Sequence, residues 1–149
     1  MARGFEFAEG LGKEHTPILP ERATAKSAGY DFFASRSYAI PPNEIALIPT
    51  GIKAYMEEDE ALMLYNRSSN PLKNGLTLAN GVGVVDADYY NNPQNDGHIM
   101  FMFRNDTEEY IVIDRGQKIG QGVFTKFLLI DNETAPKEQR CGGLGSTGK

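Results

Sequence analysis

The sequence predicts an all-β fold, a sandwich, barrel or jelly roll with at most one short helix. The apolar runs are short and rich in β-branched and aromatic residues, and several are continuous rather than alternating, which suits strands buried on both faces. Clusters of Gly, Pro, Asn and Asp separate these runs at short intervals, as in sandwiches and jelly rolls. We find no amphipathic helical pattern of three turns or more.

The elements can be placed in order along the chain. Strands are predicted at residues 44–48, 61–65, 98–103, 110–113 and 123–130. Turns are predicted at residues 41–43, 49–51, 80–81, 91–93 and 115–116, and the dipeptide of Asn80 and Gly81 favours a β-hairpin. A helical turn or two is expected near Pro71, which could occupy the first helical position. The end of the chain from Cys141 is too rich in glycine to form a strand and is expected to be a mobile tail.

Length and composition bound the function. A chain of 149 residues fits one domain, and its net charge of −5 argues against non-specific binding to nucleic acid while permitting one small phosphorylated ligand. No run approaches the length needed to span a membrane. With one cysteine, Cys141, and two histidines, His15 and His98, a Cys/His zinc site and a zinc-dependent nucleobase deaminase are excluded. We expect a cytoplasmic protein with both histidines at the surface or at an interface.

Asp86 is the strongest candidate for a chemical role. It follows the apolar pair Val84 and Val85, and a carboxylate at the end of a buried strand is costly unless it is paired or catalytic. If the strand continues, Asp86 and Asp88 share one face while Tyr89 points the other way. A polar cap at a strand end is the commoner explanation of an isolated D-x-D-Y stretch, so the assignment depends on its surroundings.

Two other stretches contain groups that suit phosphate oxygens. Arg67, Ser68 and Ser69 follow an apolar run, where an arginine fork and adjacent hydroxyls match phosphate geometry, although the same residues are also ordinary turn formers. The glycine-rich end of the chain exposes backbone amides, and with the hydroxyls of Ser146 and Thr147 it can fold over phosphates. Taken alone, a disordered end without a role explains that segment better.

Five stretches in this order resemble the five motifs of the trimeric dUTP pyrophosphatase (dUTPase) family, of the bacterial or phage type. They are residues 27–31, 66–69, 80–89, 115–121 and 142–148, and the third contains a G-x-x-D-x-x-Y core from Gly83 to Tyr89. Each motif is weak alone, but five in sequence order with fitting intervals are specific, and the resemblance runs from about residue 20 to the C-terminus.

The resemblance implies a distorted jelly roll, or β-clip barrel, that forms a homotrimer with each active site shared between chains. It implies hydrolysis of dUTP to dUMP and pyrophosphate by water attack on the α-phosphorus, which limits uracil incorporation into DNA and supplies dUMP for thymidylate synthesis. Mg²⁺ is the implied cofactor, held mainly by the substrate phosphates. The β domain would span residues 1–139, and residues 140–149 would form a flexible tail that closes over the site.

The resemblance also implies a role for each site residue. Asp86 would be the general base, Tyr89 would stack beneath the deoxyribose, and Asp31 would contact Mg²⁺ through water. The uracil edge would meet groups of Asn80, Gly83, Val84 and Val85. The triphosphate would be held from a neighbouring chain by Arg67, Ser68, Ser69 and Gln121. The closing tail would add contacts from Arg140, Leu144, Gly145, Ser146 and Thr147.

Two positions depart from the family pattern. The fifth motif is one residue shorter after Arg140, and Leu144 replaces the aromatic side chain that usually covers the uracil. The register of Arg140 is therefore open, and Phe101 or Phe103 could cover the base instead. Gly120 stands where the family more often has alanine, a change that we expect to matter little.

Two other functions are compatible with this fold. A dCTP deaminase shares it and also works without zinc, but it needs a glutamate base beside the pyrimidine, where this sequence has Asp86 and Tyr89. A regulatory trimer, such as a phage-encoded protein acting on a host repressor, could keep the fold without catalysis. Asp86, Tyr89 and Arg67 together favour an enzyme, although they leave a second role open.

Overall fold

Antiparallel β-strands make up nearly all of the regular structure in the computed structural model, which describes residues 2–134 and 140–145. The strands are β1 (Gly4–Phe7), β2 (Tyr30–Phe33), β3 (Tyr38–Ile40), β4 (Ile45–Tyr55), β5 (Glu60–Asn66), β6 (Leu76–Leu78), β7 (Gly83–Asp86), β8 (Ile99–Asn105), β9 (Ile111–Ile113) and β10 (Lys118–Lys126). The helical elements of this described part are one turn of π-helix (Asn70–Asn74) and a 3₁₀ turn (Ala87–Tyr89). Neither is long and apolar enough to cross a membrane. The all-β prediction is confirmed.

The strands form two four-stranded sheets and a small ribbon. The first sheet has the order β1-β4-β8-β6, the second has the order β2-β10-β5-β7, and β3 pairs with β9. Residues of both sheets contribute to one hydrophobic core, in which Phe32 of β2 and Phe101 of β8 meet with ring centroids 5.4 Å apart. Most of β4 is buried residue after residue. Such burial explains why the apolar runs are continuous rather than alternating.

The hydrophobic core contains Phe101 and Phe103, the two candidates for covering the uracil, and it packs against Gly120. Phe101 and Phe103 are buried and their rings stack with centroids 6.1 Å apart, so neither can cover a uracil and that expectation is wrong. Gly120 lies directly against Phe101, where an added Cβ would stand 2.3 Å from Cε2 of the ring. Alanine at position 120 would displace the ring, so this departure is not the neutral change that we expected.

Glycines with positive φ shape two short segments near the site. Pro71 lies in the first positions of the π-helical turn, as predicted, and Gly75 ends that turn with φ +65°. Asn80 and Gly81 form the predicted turn, with φ +74° at Gly81. It does not close a hairpin, because β6 pairs with β8 whereas β7 pairs with β5. The turn carries the chain from one sheet to the other, so the hairpin prediction is wrong.

Two strand boundaries also differ from the sequence prediction. The turn predicted at residues 49–51 is an irregularity inside β4, where the pairing register with β8 shifts between Pro49 and Ile52. The strand continues because β1 pairs with its second half. β10 begins earlier than expected and ends at Lys126, so residues 127–130 lie beyond it, with their apolar side chains exposed.

Candidate active site

β7 carries the predicted base to the end of the second sheet. The strand pairs with β5, so that Asp86 lies opposite Ala61. The strand stops at Asp86, and the chain continues as the 3₁₀ turn. The expectation that Asp86 and Asp88 share one strand face is therefore wrong. The turn brings Tyr89 back against the hydrophobic core.

A cavity of about 120 Å³ opens beside this strand end. Its lining includes the residues predicted to bind the nucleoside, namely Asn80, Gly83, Val84, Val85 and Tyr89. It also includes three residues that the sequence analysis missed, Leu64, Ile99 and Met100. These three are apolar residues of strands or their flanks, and no signal in the sequence separates them from the core. The structure therefore brings the whole predicted nucleoside group together in one place.

Tyr89 forms one wall of this cavity, and its phenol is held in place. The hydroxyl donates to the carbonyl oxygen of His98 at 2.7 Å and accepts from Asn95 Nδ2 at 2.8 Å. Burial raises the pKa of the Tyr89 phenol, and the hydrogen bond from Asn95 opposes this more weakly. The ring therefore presents a neutral and oriented face to a molecule in the cavity.

His98 belongs to the interior that supports this wall. Its side chain is buried, and its Nε2 accepts a hydrogen bond from the backbone N–H of Gly51 at 2.8 Å. Burial, with a smaller contribution from His15, lowers the pKa of His98 to about 4. The imidazole is therefore neutral at pH 7, and the expectation of a surface or interface residue is wrong for His98.

Arg140 joins the predicted base to the C-terminal segment. Its Nη2 donates to Asp86 Oδ2 at 2.5 Å, its Nε donates to Asp88 Oδ1 at 2.7 Å, and its Nη1 donates to the carbonyl oxygen of Gly142 at 2.9 Å. The Asp86 side chain is 49% exposed, so water reaches the carboxylate. Asp86 borders a second cavity of about 320 Å³ rather than the one that Tyr89 lines, and Arg140 lines both.

The described part of the C-terminal tail lies over the same site. Arg140, Gly143 and Leu144 line the Tyr89 cavity, and the Leu144 side chain remains largely exposed. Gly145 follows with φ +95°. Ser146 and Thr147, the other predicted tail contacts, lie outside the described residues. Arg140, Gly143 and Leu144 thus contact the site of their own chain.

The predicted phosphate-binding residues gather at the opposite end of β5. They are Arg67, Ser68 and Ser69 after β5 and Gln121 on β10. Asp31 on β2, which was predicted to contact Mg²⁺ through water, lies beside them. Gln121 pairs with Asp31 across the two strands. Gly29 makes room for Gln121, since an added Cβ would stand 2.2 Å from Gln121 Oε1. The first, second and fourth motifs therefore meet here.

Lys118 adds a cation that the sequence analysis did not single out. Its Nζ lies 3.2 Å from Asp31 Oδ2, and its carbonyl oxygen accepts a hydrogen bond from Arg67 Nη1 at 3.3 Å. Its place in the same motif as Gln121 was the available signal. Over residues 2–134 and 140–145, no three His, Cys, Asp or Glu side chains come close enough to hold a metal ion. A divalent cation at this end would take most of its ligands from water or from a bound phosphate chain.

The two groups of residues are far apart within one chain. Asp86 lies opposite Ala61 near the start of β5, and Arg67 comes six residues after Ala61, directly beyond the end of that strand. At roughly 3.3 Å per strand residue this separates them by about 20 Å. One chain therefore does not bring Asp86 and Arg67 to the same phosphorus atom.

Comparison with known proteins shows the family of this chain. A family model described as dUTPase matches residues 16–148. The chain belongs to the dUTPase family. The deoxyuridine 5'-triphosphate nucleotidohydrolase of Lactococcus lactis subsp. lactis is 54% identical to this dUTPase-family chain over 147 residues, 98% of this chain and 97% of the relative. The protein of the same description from Rickettsia bellii is 39% identical over 136 residues, 87% of each chain.

Solved structures of dUTPases share the fold. The crystal structure of dUTPase from Streptococcus mutans matches with a TM-score of 0.80 and 48% identity, covering 87% of this chain and 99% of that one. A dUTPase of Staphylococcus bacteriophage 80alpha matches with a TM-score of 0.72 over 99% of both chains at 20% identity, which speaks for the fold alone. The jelly-roll-like fold that the dUTPase resemblance implied is confirmed.

Proposed function

We propose that this chain hydrolyses dUTP to dUMP and pyrophosphate, with Asp86 as the general base. The observation that carries the proposal is a water-accessible carboxylate at the end of the strand whose residues, with Tyr89, line a small cavity. Family membership supplies the substrate, and the geometry suggests how each part of it would be held.

The cavity suits a pyrimidine base. β7 is an edge strand of its sheet, and within the described part of the chain it pairs with β5 alone, so the backbone groups on its other side can bond the uracil edge. Uracil offers one N–H between two carbonyl oxygens, a pattern that an edge strand matches. Tyr89, with its hydroxyl already engaged, would place its ring beneath the deoxyribose. Val84 and Val85 would flank the base.

Asp86 would take a proton from a water in line with the α-phosphorus. In the single chain, Arg140 donates a hydrogen bond to Asp86 Oδ2. Transfer of the guanidinium to phosphate oxygens would leave the carboxylate able to act as a base. The same move would place positive charge beside the departing pyrophosphate, where negative charge builds.

The triphosphate would be held by the other end of a neighbouring chain. The residues that we assign to it are Arg67, Ser68, Ser69 and Gln121. Asp31 would contact Mg²⁺ through water, in keeping with a magnesium ion that keeps most of its water ligands. When bound, Mg²⁺ would neutralise charge across the phosphates. Lys118 would hold Asp31 in place through the ion pair between Lys118 Nζ and Asp31 Oδ2, which are 3.2 Å apart.

A homotrimer would bring the two ends of the site together. Rotational symmetry can set the Arg67 end of one chain beside the Asp86 end of the next, which one chain cannot do across about 20 Å. The run of residues 127–130 supports assembly, because Leu128 is 96% exposed within the single chain and Phe127, Leu129 and Ile130 are exposed with it. Contiguous apolar surface of this kind is normally covered by a partner.

We also propose that residues 1–139 form the β domain and residues 140–149 a tail that closes over the site. Arg140 and Leu144 already line the nucleoside cavity, and the hydroxyls of Ser146 and Thr147 would reach the phosphates after closure. Closure would exclude water from the reacting groups. A chain with a single cysteine fits a reducing compartment, and we place the reaction in the cytoplasm.

Parallel incubation with dUTP and with dCTP tests the function. Each nucleotide is supplied with Mg²⁺, and pyrophosphate, ammonia and the nucleoside monophosphate are measured. We expect pyrophosphate and dUMP from dUTP in equal amounts, and no ammonia from dCTP. Ammonia from dCTP would make the chain a deaminase, and tight binding of dUTP without turnover would make it a binding protein.

A further inference from the structure

The loop of residues 91–97, here called the docking loop, follows Tyr89 and leads into β8. It contacts two functional parts of the molecule at once. On one side it meets the C-terminal segment of residues 140–145, and on the other it holds Tyr89. In the proposed reaction this loop contacts neither the metal, the phosphates nor the general base Asp86. Its contacts therefore require a separate explanation.

The contact with the C-terminal segment is close. The backbone N–H of Gln94 donates to the carbonyl oxygen of Cys141 at 3.0 Å. Gly142 is buried against the Gln94 side chain, where an added Cβ would stand 1.5 Å from Oε1 and 3.0 Å from Cβ of Gln94. An added Cβ on Gly143 would stand 2.7 Å from Cε1 of Tyr89. The two glycines therefore allow the segment to lie directly on the loop and on the tyrosine ring.

The docking loop is held firmly to the body of the chain. The buried Lys53 donates from Nζ to Asn91 Oδ1 at 2.6 Å and to Asp96 Oδ2 at 2.9 Å. The backbone N–H of Glu9 donates to the same Asp96 oxygen at 2.9 Å. Asn91 and Asp96 both have positive φ, which asparagine and aspartate tolerate better than other side chains. The loop is thus anchored at both ends and offers a fixed surface.

The same loop fixes the tyrosine of the nucleoside cavity. Asn92, which is buried, donates from Nδ2 to the carbonyl oxygen of Tyr89 at 2.7 Å and to Asn95 Oδ1 at 2.8 Å. Asn95 in turn donates from Nδ2 to the Tyr89 hydroxyl at 2.8 Å. Gln94 lies between the two asparagines, and its N–H also contacts Asn92 Oδ1 at 3.0 Å. One hydrogen-bonded unit therefore carries both the Cys141 contact and the Tyr89 contact.

We propose that the docking loop is the receptor for the C-terminal segment, and that Asn92 and Asn95 couple docking of that segment to the orientation of Tyr89. The proposal rests on the proposed function in one respect, namely that the ligand covered by the segment is dUTP. Docking onto the loop closes the nucleoside cavity, and a nucleotide that packs on Tyr89 favours the docked state. Asn95 is a positioning residue, because it acts on substrate through Tyr89.

A disulfide between the docking loop and the segment tests docking. The variant Gln94→Cys brings a second thiol to the position whose backbone N–H bonds the carbonyl oxygen of the native, exposed Cys141. A disulfide between the two forms only if docking brings their Cα atoms within about 7 Å. We expect mild oxidation to form the disulfide, faster with a non-hydrolysable dUTP analogue and Mg²⁺. Turnover should fall to background on oxidation and return on reduction. A non-reducing gel distinguishes cross-links within one chain from those between chains, and either supports docking.

Two control variants make the result decisive. Glu108→Cys puts a thiol on another exposed loop and should not cross-link within a chain, whereas Gln94→Cys combined with Cys141→Ser removes the partner thiol. Cross-linking of Glu108→Cys at the same rate, or none in Gln94→Cys with the analogue present, would overturn the docking proposal. Reduced Gln94→Cys is assayed separately with dUTP, so that an absence of dUTP hydrolysis counts against the proposed function and not against docking.

Asn95→Asp tests the coupling. Aspartate keeps the oxygen that accepts from Asn92 and from the Gly97 N–H, but it lacks the N–H that bonds the Tyr89 hydroxyl. We expect the KM for dUTP to rise about three- to tenfold with kcat nearly unchanged, which is the effect of one lost hydrogen bond. In the Gln94→Cys background, the analogue should no longer accelerate cross-linking. Unchanged acceleration would overturn the coupling.

Discussion

The two ends of the proposed site differ in how firmly contacts within one chain fix their side chains. The nucleoside end comprises residues 80–89 and 140–144, and the phosphate end comprises residues 67–69 with Asp31 and Gln121. At the nucleoside end, Tyr89 is fixed by two hydrogen bonds and Arg140 already holds Asp86. At the phosphate end, the Arg67 guanidinium has a 3.3 Å contact with a backbone carbonyl oxygen, and Ser68 is exposed. The nucleoside end is therefore preorganised within one chain, whereas we expect the phosphate end to become ordered only around a ligand that brings its own charge.

This difference has a physical reason in the fold. The nucleoside end is built against the hydrophobic core, which fixes β7 and the Tyr89 ring. The phosphate end lies where β5 ends, and we expect the long Arg67 side chain to keep part of its rotamer freedom there until an anion binds. Changes at the nucleoside end should therefore act on chemistry and folding, and changes at the phosphate end on substrate binding and assembly.

Replacing Asp86 by asparagine should have the largest effect on activity. Asparagine keeps the size of the side chain and an oxygen for Arg140, but it cannot take a proton from water. We expect turnover to fall by about 10²- to 10⁴-fold. Affinity for a non-hydrolysable dUTP analogue should stay within about threefold. Pyrophosphate release and calorimetric binding measure the two quantities separately.

Asp88→Asn is the matched control, because Asp88 also bonds Arg140 and lies two residues away. Its turnover should remain within about fivefold of the native value. If the Asp86→Asn chain also stayed within about tenfold, a barrier change of only ~1.4 kcal/mol, Asp86 would not be the base.

Acid should weaken the fold through His98, which supports the nucleoside end. Its pKa is about 4 in the folded chain, below its ordinary value of 6.5, because burial disfavours the charged imidazole. Between these values the unfolded chain binds a proton that the folded chain does not. The stability from the neutral imidazole is therefore complete above pH 6.5 and is lost as the pH falls toward 4, by about 3 kcal/mol. Thermal unfolding midpoints across this range measure the loss.

His98→Gln separates this effect from the titration of carboxylates. Glutamine can still accept the hydrogen bond from the Gly51 N–H, but it does not titrate. The variant should be less stable at pH 7 and should lose less stability between pH 6.5 and 4. An equal loss in both chains would mean that His98 is not the acid-sensitive group.

Mixing two inactive variants should restore catalytic activity if neighbouring chains share a site. Asp86→Asn retains the phosphate end, and Arg67→Ala retains the nucleoside end. Refolding an equal mixture as random trimers gives roughly one site in four with both ends intact, so activity should recover to about a quarter of the native value. Each variant refolded alone is the control. A mixture no more active than the separate variants would show that each chain uses its own residues.

Much of the fold was predictable because its signals are local. Continuous apolar runs marked the buried strands, and Pro71 marked the helical turn. The partners of these strands were not predictable in the same way. The turn at Asn80 and Gly81 has the local chemistry of a hairpin, yet its two strands join different sheets, and the packing of Phe101 against Gly120 depends on which sheet faces meet.

The site shows the same division. The grouping of Asn80, Gly83, Val84, Val85 and Tyr89 around one cavity could be expected from the motif, because the motif is one continuous stretch of chain. Leu64, Ile99 and Met100 were missed, since apolar strand residues look alike until the fold selects those that border the cavity. The ion pairs of Arg140 were missed for the related reason that they join residues more than fifty positions apart.

Leu144 offers the smallest expected effect and the sharpest test of what covers the base. It lines the nucleoside cavity but is 69% exposed, so its side chain gains contacts only when a nucleotide is bound. An aromatic ring can stack on a pyrimidine, a contact worth about 0.5–1.5 kcal/mol. Leu144→Phe should therefore lower the KM for dUTP about two- to tenfold with kcat nearly unchanged, and Leu144→Ala should raise it by a similar factor. If both variants kept the native KM, Leu144 would not lie over the uracil, and Met100, which lines the same cavity from the strand side, would be the residue to change next.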